Sequence, residues 1–171
     1  MKYHAYLLIF LFGICLGIPS YAQNAEEDKT EYETEPITSF EALMESLTHG
    51  EMVRAIIHYG KCTLIIDGEP QESSPDAIGG MTLEVFEYFA KGAVYNPQAF
   101  VVSSEAKLIK NPIGPGFVYN YAKVRVYADG KATIQVNYLK PDSFEVTMSE
   151  EFQTQLFDGD NEGGLHLFRE D

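Results

Sequence analysis

A chain of 171 residues with 12 Lys plus Arg against 26 Asp plus Glu, a formal net charge of −14, is poorly suited to nucleic acid or an anionic membrane surface, both of which it would approach against repulsion. Lys107, Lys110, Lys123, Arg125, Lys131 and Lys140 lie along separate segments, so no basic patch overrides that balance. Of two cysteines, Cys15 sits in an N-terminal apolar run and Cys62 stands alone in the body of the chain, which excludes a fold stapled by internal disulfides.

Lys2 opens an apolar run over residues 5–18, followed by Pro19, Ser20, Tyr21 and Ala22. The run is shorter than the roughly 20 residues that span a bilayer, and small residues stand at 20 and 22, so residues 1–22 are expected to be a signal peptide cut after Ala22. An uncleaved anchor is the alternative. Phe12-Gly13-Ile14 ahead of Cys15 lacks the small residue that precedes a lipid-modified cysteine. The exported remainder, periplasmic or extracellular, is about 150 residues, a single-domain length that buries about 68–70% of its unfolded surface. No transmembrane segment is expected after cleavage.

Residues 23–37 are acidic and polar, with Glu26-Glu27-Asp28 followed by Glu31, Glu33 and Glu35, and read as a disordered linker ahead of one domain over 38–171. Thr38 and Glu41 form a capping box, and Phe40, Leu43, Met44 and Leu47 recur at helical spacing before Gly50, predicting an amphipathic helix over 39–49. From Glu51 the period becomes two. Residues 52–59 and 62–67 read as strands separated by Gly60-Lys61, and 71–80 as a polar loop ending in Gly79-Gly80. Residues 81–90 read as strand, with a short helix as the alternative. Residues 99–109 continue as strand up to the turn cluster Asn111-Pro112-Ile113-Gly114-Pro115-Gly116.

The stretch 117–139 predicts a hairpin with a definite register. A two-residue Asp129-Gly130 loop would set Val124 and Val126 against Gln135 and Thr133, mixing polar and apolar side chains on one face. A three-residue Ala128-Asp129-Gly130 loop with Gly130 left-handed instead faces Val126 with Ala132, Val124 with Ile134 and Ala122 with Val136. Arg125 then meets Thr133 and Lys123 meets Gln135 on a wet face. Pro141 ends the second strand and 143–148 suggests another. Thr147 and Glu150 form a second capping box before Phe152, Leu156 and Phe157, predicting a short helix over 149–157, and Leu165-His166-Leu167-Phe168 alternates like an edge strand. The expected fold is mainly β (α+β): an antiparallel curved sheet or open barrel of about 6–7 strands, with an N-terminal amphipathic helix and a short C-terminal helix.

No serine elbow, phosphate loop, zinc-helix motif or paired C-x-x-C is present, and no catalytic residue is assigned. Three candidate sites stand out. Asp158, Asp160 and Glu162, with Gly163 at the sixth position, match the opening of a calcium loop, although Arg169 occupies the twelfth place, where a bidentate glutamate belongs; an acidic surface turn is the competing reading. His58, Cys62 and Asp67 are a conceivable soft-metal set, but residues four apart on an extended strand lie about 13 Å apart, so a turn must bring them together. Tyr119, Tyr121 and Tyr127 share the wet face of their strand with Lys123 and Arg125, a combination suited to a ligand or partner protein.

The helix ending in Gly50, then Val53, Tyr59, Lys61-Cys62, Gly79-Gly80, Ser103-Ser104, Lys107-Leu108, Val118-Tyr119-Asn120-Tyr121 and Arg125-Val126-Tyr127-Ala128-Asp129-Gly130, together resemble the VirK family of small exported bacterial proteins over residues 40–139. The resemblance implies an export signal, a single domain and a link to virulence, and it brings no catalytic residues. The expected function is an exported non-catalytic module that binds an unidentified protein or small molecule through its sheet face or the mouth of a curved sheet, with no cofactor other than the calcium candidate. The alternatives are a small hydrolase built around His58, Cys62 or His166, and a calcium-dependent structural protein.

Overall fold

The computed structural model describes residues 34–170; the expected signal peptide and most of the acidic linker lie outside them. The first element corrects the linker boundary. Thr34–Ile37 is a strand, β1, paired antiparallel with Leu165–Glu170, β11, so that Ile37 is buried opposite Leu167. Ladder pairing and one buried side chain order a tetrapeptide whose composition alone suggests solvation. The helix, α1, spans Phe40–His49. Ser39, one residue after the expected cap, accepts the Ala42 amide at 3.1 Å, and left-handed Gly50 closes the other end. Phe40, Leu43 and Leu47 form its buried stripe.

Beyond the helix the chain alternates between two sheets. Met52–His58, β2, turns through a single 3-10 turn at Tyr59–Lys61 into Thr63–Ile66, β3, which belongs to the other sheet and pairs with the two-residue β4, Glu69–Pro70. The segment read as one strand over 81–90 also divides. Ile78–Thr82, β5, pairs with β2, whereas Phe86–Phe89, β6, pairs with Phe100–Lys110, β7. Phe117–Tyr127 (β8), Lys131–Leu139 (β9) and Val146–Gln155 (β10) complete the larger sheet. Its strand order is β4-β3-β10-β9-β8-β7-β6, and that of the smaller sheet is β1-β11-β2-β5. All ladders are antiparallel, apart from an isolated parallel bridge between Leu156 and Leu165. The sheets do not close into a barrel. They share one core, in which Val53, Ile57 and Leu167 of the smaller sheet meet Val124, Ile134 and Phe152 of the larger, and the α1 stripe belongs to the same cluster.

The β8–β9 hairpin has the expected register: Val126 opposite Ala132, Val124 opposite Ile134, Ala122 opposite Val136, and Arg125 opposite Thr133 on the far face. Gly130 has φ 80 and its amide donates to the Tyr127 carbonyl, so the loop needs a residue at ease in the left-handed region. The C-terminal helix is absent. Residues 149–155 lie instead in β10, which pairs with β9 from Val146 to Gln155, and Leu156 adds only an isolated bridge. Phe152 and Leu156 are four apart, a spacing that shares a face in a helix and in a strand alike, and pairing on both sides decides for the strand. The edge position expected for β11 also fails, because β11 lies between β1 and β2. Among the described residues no helix is long and apolar enough to cross a membrane.

Candidate functional site

The tyrosine face divides when its side chains are placed. Tyr119, Tyr121, Lys123, Arg125 and Tyr127 alternate along β8 with buried Val118, Val124 and Val126, so they do share the outer face of the larger sheet. Tyr119, however, stacks on Phe144 with ring centroids 5.8 Å apart, and neither it nor Tyr121 reaches the cleft that Lys123 and Arg125 line. That cleft, about 570 Å³, is bounded by Phe89, Val94, Phe100, Val102 and Ser104. The Arg125 guanidinium lies 4.6 Å from the Phe100 ring centre and donates to the Tyr127 hydroxyl at 3.4 Å, while its Nε is buried without an acceptor.

The acidic loop is held by its own side chains. Asp158 Oδ1 accepts the amides of Asp160 and Asn161, both at 2.9 Å, and Asn161 Oδ1 accepts that of Gly163. These amides hold the Asp158 carboxyl below its usual range. Glu162 reaches toward Lys61, and among the described residues no three His, Cys, Asp or Glu side chains come together as a metal site.

The soft-metal set is not assembled either. The Cys62 thiol donates to the backbone carbonyl of His58 at 3.3 Å, and burial raises its pKa, against the lowering effect of the Thr154 hydroxyl. The His58 ring turns to His166, 4.7 Å away on the outer face of the smaller sheet, and His166 in turn stacks on Phe157 at 4.3 Å. A thiol bonded to a carbonyl, with no imidazole against it, is not an activated nucleophile.

A different group of residues meets at one end of the core, in the mouth between the sheets. Past Ala122 and Val136 the inward face of the hairpin continues with Asn120 opposite Tyr138, both half-buried. A β-bulge between Val146 and Met148 then sets Met148 opposite Tyr138 and Glu150 opposite Val136, bringing a carboxylate onto the apolar face. Tyr59, from the turn that changes sheets, packs at 4.7 Å on the Phe152 ring. Together with Pro75, Ala77, Ile78 and Gly79 of the segment before β5, these residues line a cavity of about 420 Å³. Burial, followed by Cys62, Tyr138 and Glu150, pushes the Tyr59 pKa up to about 12, so its hydroxyl remains a proton donor at physiological pH. Asn120 Oδ1 is buried without a donor, and the half-buried Glu150 side chain has no ion pair or hydrogen bond among the described residues. The sequence carried a signal for this site: on the predicted hairpin register, Asn120 and Tyr138 are polar groups continuing an apolar face.

Among the described residues, two antiparallel sheets around one core, one α-helix and a ligand-sized aromatic mouth define a small two-sheet β protein with no nucleophile and base assembled at Cys62. The chain belongs to the VirK family, whose model, described as VirK protein, matches residues 36–144. The crystal structure of lpg1832, a VirK family protein from Legionella pneumophila, is similar in fold: the TM-score is 0.58 at 21% identity, covering 78% of this chain and 98% of that one. No curated protein matches the chain. Membership associates the protein with virulence, in a family that is largely uncharacterised.

Proposed function

We propose that the protein is an exported, non-catalytic binding module that receives its ligand in the mouth between the two sheets. The observation that carries this reading is a pair of unpartnered polar groups, the Glu150 carboxylate and Asn120 Oδ1, in one cavity otherwise walled by aromatic and apolar side chains. A buried polar group left unpaired costs about 1–3 kcal/mol, and Asn120 Oδ1 in that state beside a half-buried carboxylate, in a cavity of ligand size, supports a site completed from outside. The inert environment of Cys62 favours binding over nucleophilic chemistry. The charged, short and apolar leader supports export, and the family supports a role in virulence.

A second reading puts a carboxylate-bearing partner in the Lys123–Arg125 cleft. It is favoured by the unpartnered Arg125 Nε and by the lack of an ion pair to either cation among the described residues. One measurement tests both: heteronuclear NMR of the purified protein against small aromatic amines, alcohols and carboxylates. Shifts gathered at Tyr59, Gly79, Asn120, Tyr138 and Glu150 support the mouth. Shifts confined to Ser104, Lys123 and Arg125 would transfer the function to the outer cleft, and shifts at neither place would remove both sites.

A further inference from the structure

Resting on the mouth as the binding site, we propose that its ligand is a primary or secondary ammonium carried on a short apolar or aromatic body. The cavity supplies what such a cation needs from three directions. Glu150 offers a half-buried carboxylate with no ion pair among the described residues. Tyr59 and Tyr138 offer ring faces, over Phe152 as an apolar floor. Asn120 Oδ1 offers a buried acceptor, which an N–H satisfies and a quaternary ammonium does not.

The electrostatics select the sign of the ligand. A carboxylate among aromatic side chains is stabilised by a cation, whereas an anion would add repulsion to desolvation. Tyr59 reports the same negative surroundings, because Tyr138 and Glu150 both act to keep its proton on. Over longer distances, a chain of net charge −14 draws cations toward it and turns anions away. The size fits as well: about 420 Å³ lies within the range of roughly 300–1,000 Å³ usual for small-molecule sites.

The test compares two probes of nearly equal shape, phenethylammonium and 2-phenylethanol, by NMR titration of the purified protein and of its Glu150→Gln and Asn120→Leu variants. The expected result is that the ammonium binds about tenfold more tightly than the alcohol, with shifts centred on Tyr59, Asn120, Tyr138 and Glu150. Glu150→Gln should remove that preference by weakening the ammonium far more than the alcohol, and added salt should weaken the ammonium selectively. Asn120→Leu should weaken the ammonium while Glu150 is intact, which keeps the test open if one variant folds poorly. Equal binding of both probes at the mouth would overturn the ammonium proposal and leave the mouth standing as a site. If neither probe perturbs the mouth, the ammonium proposal is overturned, and if the wider fragment set also leaves it untouched, the mouth falls too.

Discussion

Gly79 passes so close to Tyr59 that a Cβ on it would stand 2.9 Å from both the ring edge and the hydroxyl oxygen. The glycine is thus what allows the tyrosine to lie across β5 and form a wall of the mouth. Gly79→Ala is expected to displace the ring and cost about 1–3 kcal/mol, the usual penalty of overpacking. Because a single contact is responsible, the loss should shrink in a Tyr59→Ala background. Denaturant unfolding of the two single variants and the double variant checks this, and strictly additive losses would show that the contact is not the cause.

Ile134 is fully buried opposite Val124, at the centre of the register that organises the larger sheet. Ile134→Ala should cost about 2–5 kcal/mol, the range for emptying a packed core position. Thr133→Ala, one residue away on the far face, should cost far less. Comparable losses at both positions would contradict the assignment of faces.

The hairpin was legible because three apolar pairs agree on one register and the bulged glycine loop admits no other. The helix was legible for a similar local reason, its four apolar residues falling on one stripe. Strand partners were not legible in the same way. Residues 52–59 and 62–67 read as neighbouring strands and 81–90 as one strand after a polar loop, yet β2 and β3, and likewise β5 and β6, belong to different sheets, and a choice made by contacts distant in sequence leaves no local pattern. The linker boundary and the C-terminal helix failed for a related reason, since Thr34–Ile37 and Val146–Gln155 become strands through the partners they find. Of the five residues on the β8 face, the pattern identified the shared side but not Phe144 and Phe100, which engage Tyr119 and Arg125.

Asp158 holds the loop before β11 through two amides on one carboxylate oxygen. Asp158→Asn keeps an acceptor in that place and should be nearly silent, whereas Asp158→Ala should lower the melting temperature slightly. Millimolar calcium should leave the melting temperature of the unmodified protein unchanged. A saturable rise that Asp158→Ala abolishes would place the ion in the loop after all.

His166 lies against Phe157 and His58, and its pKa is lowered first by burial and then by the charges of His58 and Lys61. A depressed histidine binds its proton less readily folded than unfolded, so its contribution to stability is present above about pH 6.5 and is lost as pH falls through the folded value. The melting temperature should therefore fall on acidification below that point, and less so in His166→Phe, where a flat ring remains on Phe157. An imidazole seen by NMR to titrate at or above its ordinary pKa would refute the assignment.

Tyr59 gives the opposite end of the pH scale, and it reports directly on the mouth. With its pKa pushed up to about 12 from an ordinary value of 10.0, the folded protein keeps a proton that the unfolded chain gives up. The unfolded state binds fewer protons between those values, so the stabilising effect is complete below pH 10 and drains away as pH rises to 12. Two pH units correspond to a loss on the order of 2 to 3 kcal/mol. Tyr59→Phe lacks the titrating group and should decline less steeply over that window, which isothermal denaturant unfolding at several pH values would measure. Glu150→Gln removes one of the charges that hold the Tyr59 proton, so the phenolate absorbance of Tyr59 should appear at lower pH in that variant. If wild type and Tyr59→Phe lose stability in parallel, Tyr59 is hydrated rather than enclosed, and the cavity it walls lacks the low-dielectric surroundings on which an ammonium site depends.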